Sequence, residues 1–240
     1  MARIVSWPVG LRAKFREPLS GPRAVSGGAT QSIGNFVQTF ASPFGLWRWR
    51  FSFPSIRGQM FRRYRGWITS LHGGANATRV PFCDWDGLNF AQRGIVTTSA
   101  EWREGEPWSN GQPWSNGENW ASSNPVVAVT APAAFDTDEI QLADSFWGHG
   151  LDIGDFLGFF PFHLGLYMVT ERIDAGHYRI WPPLRVALTT SDFATLDPVL
   201  AMRLESEEAA NAPRGAAFAE GLSVTMVETL DYDVRDYFAG

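Results

Sequence analysis

Four histidines, one cysteine and a few neighbouring carboxylates are the places where this 240-residue chain would do covalent or metal chemistry. His72, His149, His163 and His177 lack a second His or Cys at the short spacing that sets two metal ligands on one helix face or one turn. His149 with Asp152 and Asp155 comes nearest to a ligand cluster. Asp84-Trp85-Asp86-Gly87 begins like an acidic calcium loop, but the later oxygen donors are missing. These aspartates are expected to cap backbone amides in a turn. Cys83 follows Val80-Pro81-Phe82 and is expected to be a small core residue, not a nucleophile. A lone cysteine also excludes an internal disulfide, which fits assembly inside a cell. The chain has no GxSxG, no Walker A loop, no GxGxxG before a helix and no carboxylate pair that marks glycoside hydrolysis. The expectation is a protein with no catalysis, no cofactor and no metal.

The chemistry that does stand out is aromatic. Residues 107–120 read PWSNGQPWSNGENW, and a degenerate third copy ends at Asn124. Trp108, Trp114 and Trp120 are therefore six residues apart. Six is even, so an extended chain projects the three rings to one side. Asn-Gly fits a type I′ turn and Pro stiffens its flank, so the stretch reads as a rigid aromatic tab, not a helix. Three uses are open to such a row. The rings stack on a sugar, stack on the bases of a single strand, or wedge into a neighbouring subunit. Glu101, Glu104, Glu106 and Glu118 speak against the nucleic-acid use, and the subunit contact is preferred.

The elements that must position these residues are mostly strands. In 46–53, LWRWRFSF, the side chains of Trp47, Trp49, Phe51 and Phe53 fall on one face, with Arg48, Arg50 and Ser52 on the other. With 31–42 before it, this reads as a β-hairpin with one apolar face. After Pro54 the period changes: Ile56, Met60, Phe61, Tyr64, Trp67, Ile68 and Leu71 recur at helical spacing. A helix is predicted over 55–72, with Ser55 as N-cap and Gly73-Gly74 as its end. Short β runs follow at VVAVT (126–130) and throughout 137–234. The stretch 205–221 is polar and Ala-rich and reads as a mobile loop. The fold expected is mainly β with one amphipathic helix: a β-sandwich or split-barrel domain plus a small barrel-like domain. Its parts are a basic arm over 1–30 and a β domain over 31–135 that carries the helix and the Trp-repeat loop 104–124. A second β domain covers 136–240, and C-terminal strands in 222–234 are able to complete the first.

Charge is unevenly spread. Residues 1–65 hold eleven basic side chains and one acid, Glu17, whereas the rest holds 9 basic (20 minus 11) and 24 acidic (25 minus 1). Such poles suit stacked or head-to-tail assembly. A nucleic-acid surface, or arginines that simply face water, are the other readings. No apolar run is long enough to span a membrane.

Two stretches together resemble the distal tail protein, or a related baseplate component, of long-tailed (siphovirus-type) bacteriophages. One is FVQTFASPFGLWRWRFSFPSIRG, Phe36 to Gly58, followed by the helix. The other is the series GLDIGDFLGF (150–159), LYMVTE (166–171) and IWPPLR (180–185). The resemblance is loose and spans most of the chain; the Trp repeat has no place in the family's shared pattern. It implies a structural virion protein of the tail tip, assembled in the host cytoplasm as a ring, usually hexameric. Its partners would be the tail tube protein, the baseplate hub and tail fibres, with no membrane and no specific nucleic acid. Contacts between subunits are then expected at Trp47, Arg48, Trp49, Arg50, Trp108, Trp114 and Trp120. The alternatives are a carbohydrate-binding module that uses the Trp row, or another virion part such as a connector or decoration protein.

Overall fold

The computed structural model describes residues 3–19, 26–31, 37–41, 45–82, 84, 86–87, 126–143, 150–160, 163–215 and 217–230. The Trp repeat, Cys83, Trp85 and His149 lie outside the described residues. Within them the chain is mainly β, with a single α-helix. It runs through β1 (Ile4–Ser6), β2 (Phe15–Pro18), the pair β3 (Ser26–Gln31) and β4 (Val37–Ala41), and β5 (Arg48–Ser52). Helix α1 (Gly58–Ser70) and β6 (Ala77–Pro81) follow. Next come β7 (Val126–Ala128), β8 (Glu139–Gln141), β9 (Phe156–Phe160), β10 (Tyr167–Asp174), β11 (His177–Trp181) and β12 (Phe193–Thr195). The last two are β13 (Val199–Leu204) and β14 (Ser223–Glu228).

Six strands in the order β1-β6-β13-β14-β5-β2 make the first sheet. Its inner face takes the aromatic side of β5, and Trp47, Trp49, Phe51 and Phe53 are all buried. Helix α1 covers part of that face with Phe61, Tyr64 and Trp67. It begins at Gly58, not at Ser55, and no side chain caps it. A missing N-cap costs about 1 kcal/mol, whereas each buried aromatic contributes about 2 kcal/mol, so packing sets the helix position. It ends as expected, with Gly73 and Gly74 at positive φ.

The second unit is the order β7-β12-β9-β10-β11-β8, antiparallel throughout. Its two outer strands also meet. A Val129–Leu142 bridge, Thr130 N–H to Gln141 O (2.9 Å) and Ala143 N–H to Ala128 O (3.0 Å) join them. The sheet thus closes on itself as a small barrel, which leaves no unpaired edge. Ile140, Leu157, Val169, Ile180 and Leu196 fill its interior. Strand β9 turns a corner: Phe156 and Leu157 pair with β10, but Gly158, Phe159 and Phe160 pair with β12.

Several expectations change. Strand β5 does not pair with β4; β14 and β2 take its two edges, and β4 pairs with β3. The basic arm is not free of the fold, because β1 pairs in parallel with β6 and Leu11 enters the core. Strand β7 belongs to the barrel and β13 to the first sheet, so the barrel is inserted between β6 and β13, whereas β14 joins the first sheet as the C-terminal strands were able to do. The stretch 205–221 is tethered: Ala219 is buried and bridged to Ile56, and Tyr64 donates to the Asn211 carbonyl (2.7 Å).

Candidate functional site

Alternation along β5 sorts the four expected contact residues into two pairs. Trp47 is 2% exposed and Trp49 5%, so their rings are core and offer no surface to a neighbour. The physical reason is the company they keep. Trp49 packs on Phe82 (5.4 Å between centroids), and Trp47 on Phe156 (5.7 Å), a barrel residue. Arg48 and Arg50 do stand on the outer face, where Glu205 (2.5 Å) and Glu17 (3.5 Å) pair with them. Trp108, Trp114 and Trp120 lie outside the described residues.

Trp47 instead heads a buried polar chain that ties the first sheet to the barrel. Its indole N–H donates to the Leu166 carbonyl (2.7 Å). Its backbone N–H donates to the Glu228 carboxylate (3.0 Å) and its carbonyl accepts from Glu228 N–H (2.8 Å). Arg185, also buried, lies 3.7 Å from that carboxylate and donates to the Gly45 carbonyl. The Arg185 backbone N–H donates to the Tyr167 hydroxyl (3.0 Å), which sits 2.5 Å from His163 Nε2. The hydroxyl has one proton and two lone pairs, so toward Nε2 it is able to donate or to accept, according to the imidazole tautomer. Burial lowers the His163 pKa to about 4, with a smaller contribution from Arg185 in the same direction. Burial raises the Glu228 pKa to about 7, although Arg185 and the Trp47 amide pull it down. At 3.7 Å the guanidinium is too far for a hydrogen bond, which is why desolvation wins.

Sequence reasoning missed this chain. One signal was available: Glu228 shares the phase of the buried Val224 and Met226 on β14, and a carboxylate at an inward position needs a partner. Nothing local marks Arg185 or His163.

The aspartates behave as turn residues. Asp86 N–H donates to Asp84 Oδ1 (3.1 Å) and Asp152 N–H to Asp155 Oδ2 (2.8 Å). Burial raises the Asp155 pKa; the Asp152 amide opposes this, and the charges of Asp84 and Asp152 add to it. Among the described residues no three His, Cys, Asp or Glu side chains gather closely enough to hold a metal ion.

The remaining candidates are charged faces. Arg57, Arg62, Arg63 and Arg65 are exposed on or beside α1, which carries no acid in its first turn. On the barrel, Arg179 is held by Asp138 (3.5 Å), Glu139 (2.9 Å) and Glu171. The hydrogen bond from Arg179 lowers the Glu139 pKa and, reciprocally, raises that of Arg179. His177 lies 3.4 Å from Glu139. No family model and no curated protein matches the chain.

Proposed function

We propose that this chain is a structural subunit of a bacteriophage tail tip, one copy of a ring that joins the tail tube to the baseplate hub or fibres. One observation carries the reading. The stretches that carry the likeness to tail-tip proteins are far apart in sequence but meet in space. Trp47 and Gly45 belong to the block 36–58, and they bond to Leu166 and Arg185, which belong to the series 150–185. The second series also supplies three neighbouring strands, β9, β10 and β11, of one barrel. A sheet and a barrel locked together through their most distinctive residues suit a load-bearing part. The buried polar groups serve that joint.

The test is the assembly state of the purified chain by mass photometry. The reading expects stable particles at several multiples of 26.7 kDa. Monomers at every concentration and salt would remove its basis, and glycan binding by the Trp row would then be the function to measure.

A further inference from the structure

The arginines of the first unit divide into paired and unpaired sets. Arg48 and Arg50 have carboxylate partners within the chain. Arg57, Arg62 and Arg65 make no ion pair among the described residues, and Arg63 has only the Val9 carbonyl (3.1 Å). Three of these cations, Arg62, Arg63 and Arg65, crowd one exposed helix face, and Val9, 81% exposed, lies beside them. Like charges at this spacing repel, so the face gains from an outside anion.

The barrel shows the opposite imbalance. Asp138, Glu139 and Glu171 hold a single Arg179 at β8, β10 and β11, and Asp174 stands opposite His177 on the same strand pair. Four carboxylates stand here against one guanidinium. Exposed Ile173 (40%) adjoins them, as Val9 adjoins the arginines. The excess extends over the unit: residues 126–198 hold ten acids and three bases, a net −7, against a net +10 (11 minus 1) for residues 1–65.

We infer that the α1 arginine face docks on the acidic barrel face of a second copy of this chain. This rests on the ring reading and names its interface. Each copy carries both halves at different places, so the contact is heterologous, and repetition closes it into a ring if the rotation allows. Complementary charge sets the register, while the small apolar patches at Val9 and Ile173 give the contact a dry centre. A nucleic acid would also answer the arginines, but it would be repelled by the acidic face on the same molecule, whereas a second copy uses both.

Charge swapping tests this directly. One variant carries Arg62→Glu, Arg63→Glu and Arg65→Glu; the other carries Glu171→Lys and Asp174→Lys. Thermal unfolding by circular dichroism first checks that both keep the wild-type fold. All substituted positions are exposed, so a shift of only a few degrees is expected. Mass photometry and sedimentation should then show each variant alone with association weakened on the order of 100-fold. An equimolar mixture should recover the wild-type particle, because every junction again opposes unlike charge. Wild-type assembly that is indifferent to both variants, or a mixture that fails to recover it, would place the interface elsewhere and leave the ring reading standing. A wild type that never assembles sinks both. A wild type that binds labelled duplex DNA through the α1 arginines while it stays monomeric would make that face a nucleic-acid surface and overturn the inference.

Discussion

Glu228 is an acid at a position where β14 otherwise places Val224 and Met226, and its protonation sets a testable pH dependence. Its pKa rises from 4.5 when unfolded to about 7 in the fold. Between those values the native state holds a proton that the unfolded chain has lost. The stability contribution is therefore complete below 4.5 and is lost as pH rises through 7. His163 has the opposite sign. Its pKa falls from 6.5 to about 4, so its contribution is complete above 6.5 and is lost as pH falls through 4. The two slopes oppose each other in mildly acidic solution and flatten the profile of the wild type. Glu228→Gln separates them. Near pH 8 the ionised carboxylate opposes the fold, and glutamine does not titrate, so the variant should gain about 2–3 kcal/mol relative to wild type between pH 5 and pH 8. Near pH 5 the native side chain is already neutral, so glutamine is a close substitute and stability should change by less than about 1 kcal/mol. Urea unfolding at the two pH values measures the difference. An equal effect at both would show that the fold does not shift the Glu228 pKa.

At the scale of elements, two glycines make opposite predictions. Gly158 sits where β9 leaves β10 for β12, and a Cβ there would lie 2.5 Å from the Pro198 Cβ and 2.9 Å from the Gly165 carbonyl. Neither atom is the end of a flexible side chain, so Gly158→Ala is expected to destabilise by about 1–3 kcal/mol. Gly66 lies inside α1, with open space around its missing Cβ. Gly66→Ala should stabilise by up to about 1 kcal/mol. Melting temperatures of the two variants moving in the same direction would contradict the corner assigned to β9. Periodicity is why α1 and β5 were legible in the sequence: thirteen residues at period 3.6 and a clean alternation leave little choice. Strands of three or four residues, such as β1 and β2, carry too little pattern, and their partners are long-range. The supposed hairpin failed for a related reason. Alternation says which face of β5 is buried, but not that β14, far along the chain, outcompetes its nearest neighbour. The joint between sheet and barrel was invisible because it is made of a few residues from four separate stretches.

For the whole molecule, the question is what the Trp repeat adds to a chain whose two units already have cores of their own. Helix and sheet bury their aromatics against one another: Trp7 meets Phe51, Phe53 and Trp67, and Phe82 meets Trp49 and Phe156. On the proposed ring reading the repeat is the part that seats in a neighbour. Trp is the residue most enriched among strong interface contacts, each worth about 2 kcal/mol or more when truncated. Pro and Asn-Gly turns reduce the ordering that docking costs. On that reading the triple variant Trp108→Ala, Trp114→Ala, Trp120→Ala should melt within about 2 °C of wild type, yet lose its assembled form in mass photometry. A large fall in melting temperature would make the three rings core residues of the monomer. Unchanged melting with unchanged assembly would remove them from the subunit contact and leave the α1 and barrel faces as its carriers. Glycan-array binding that vanishes in the same variant would then show that the row serves a sugar.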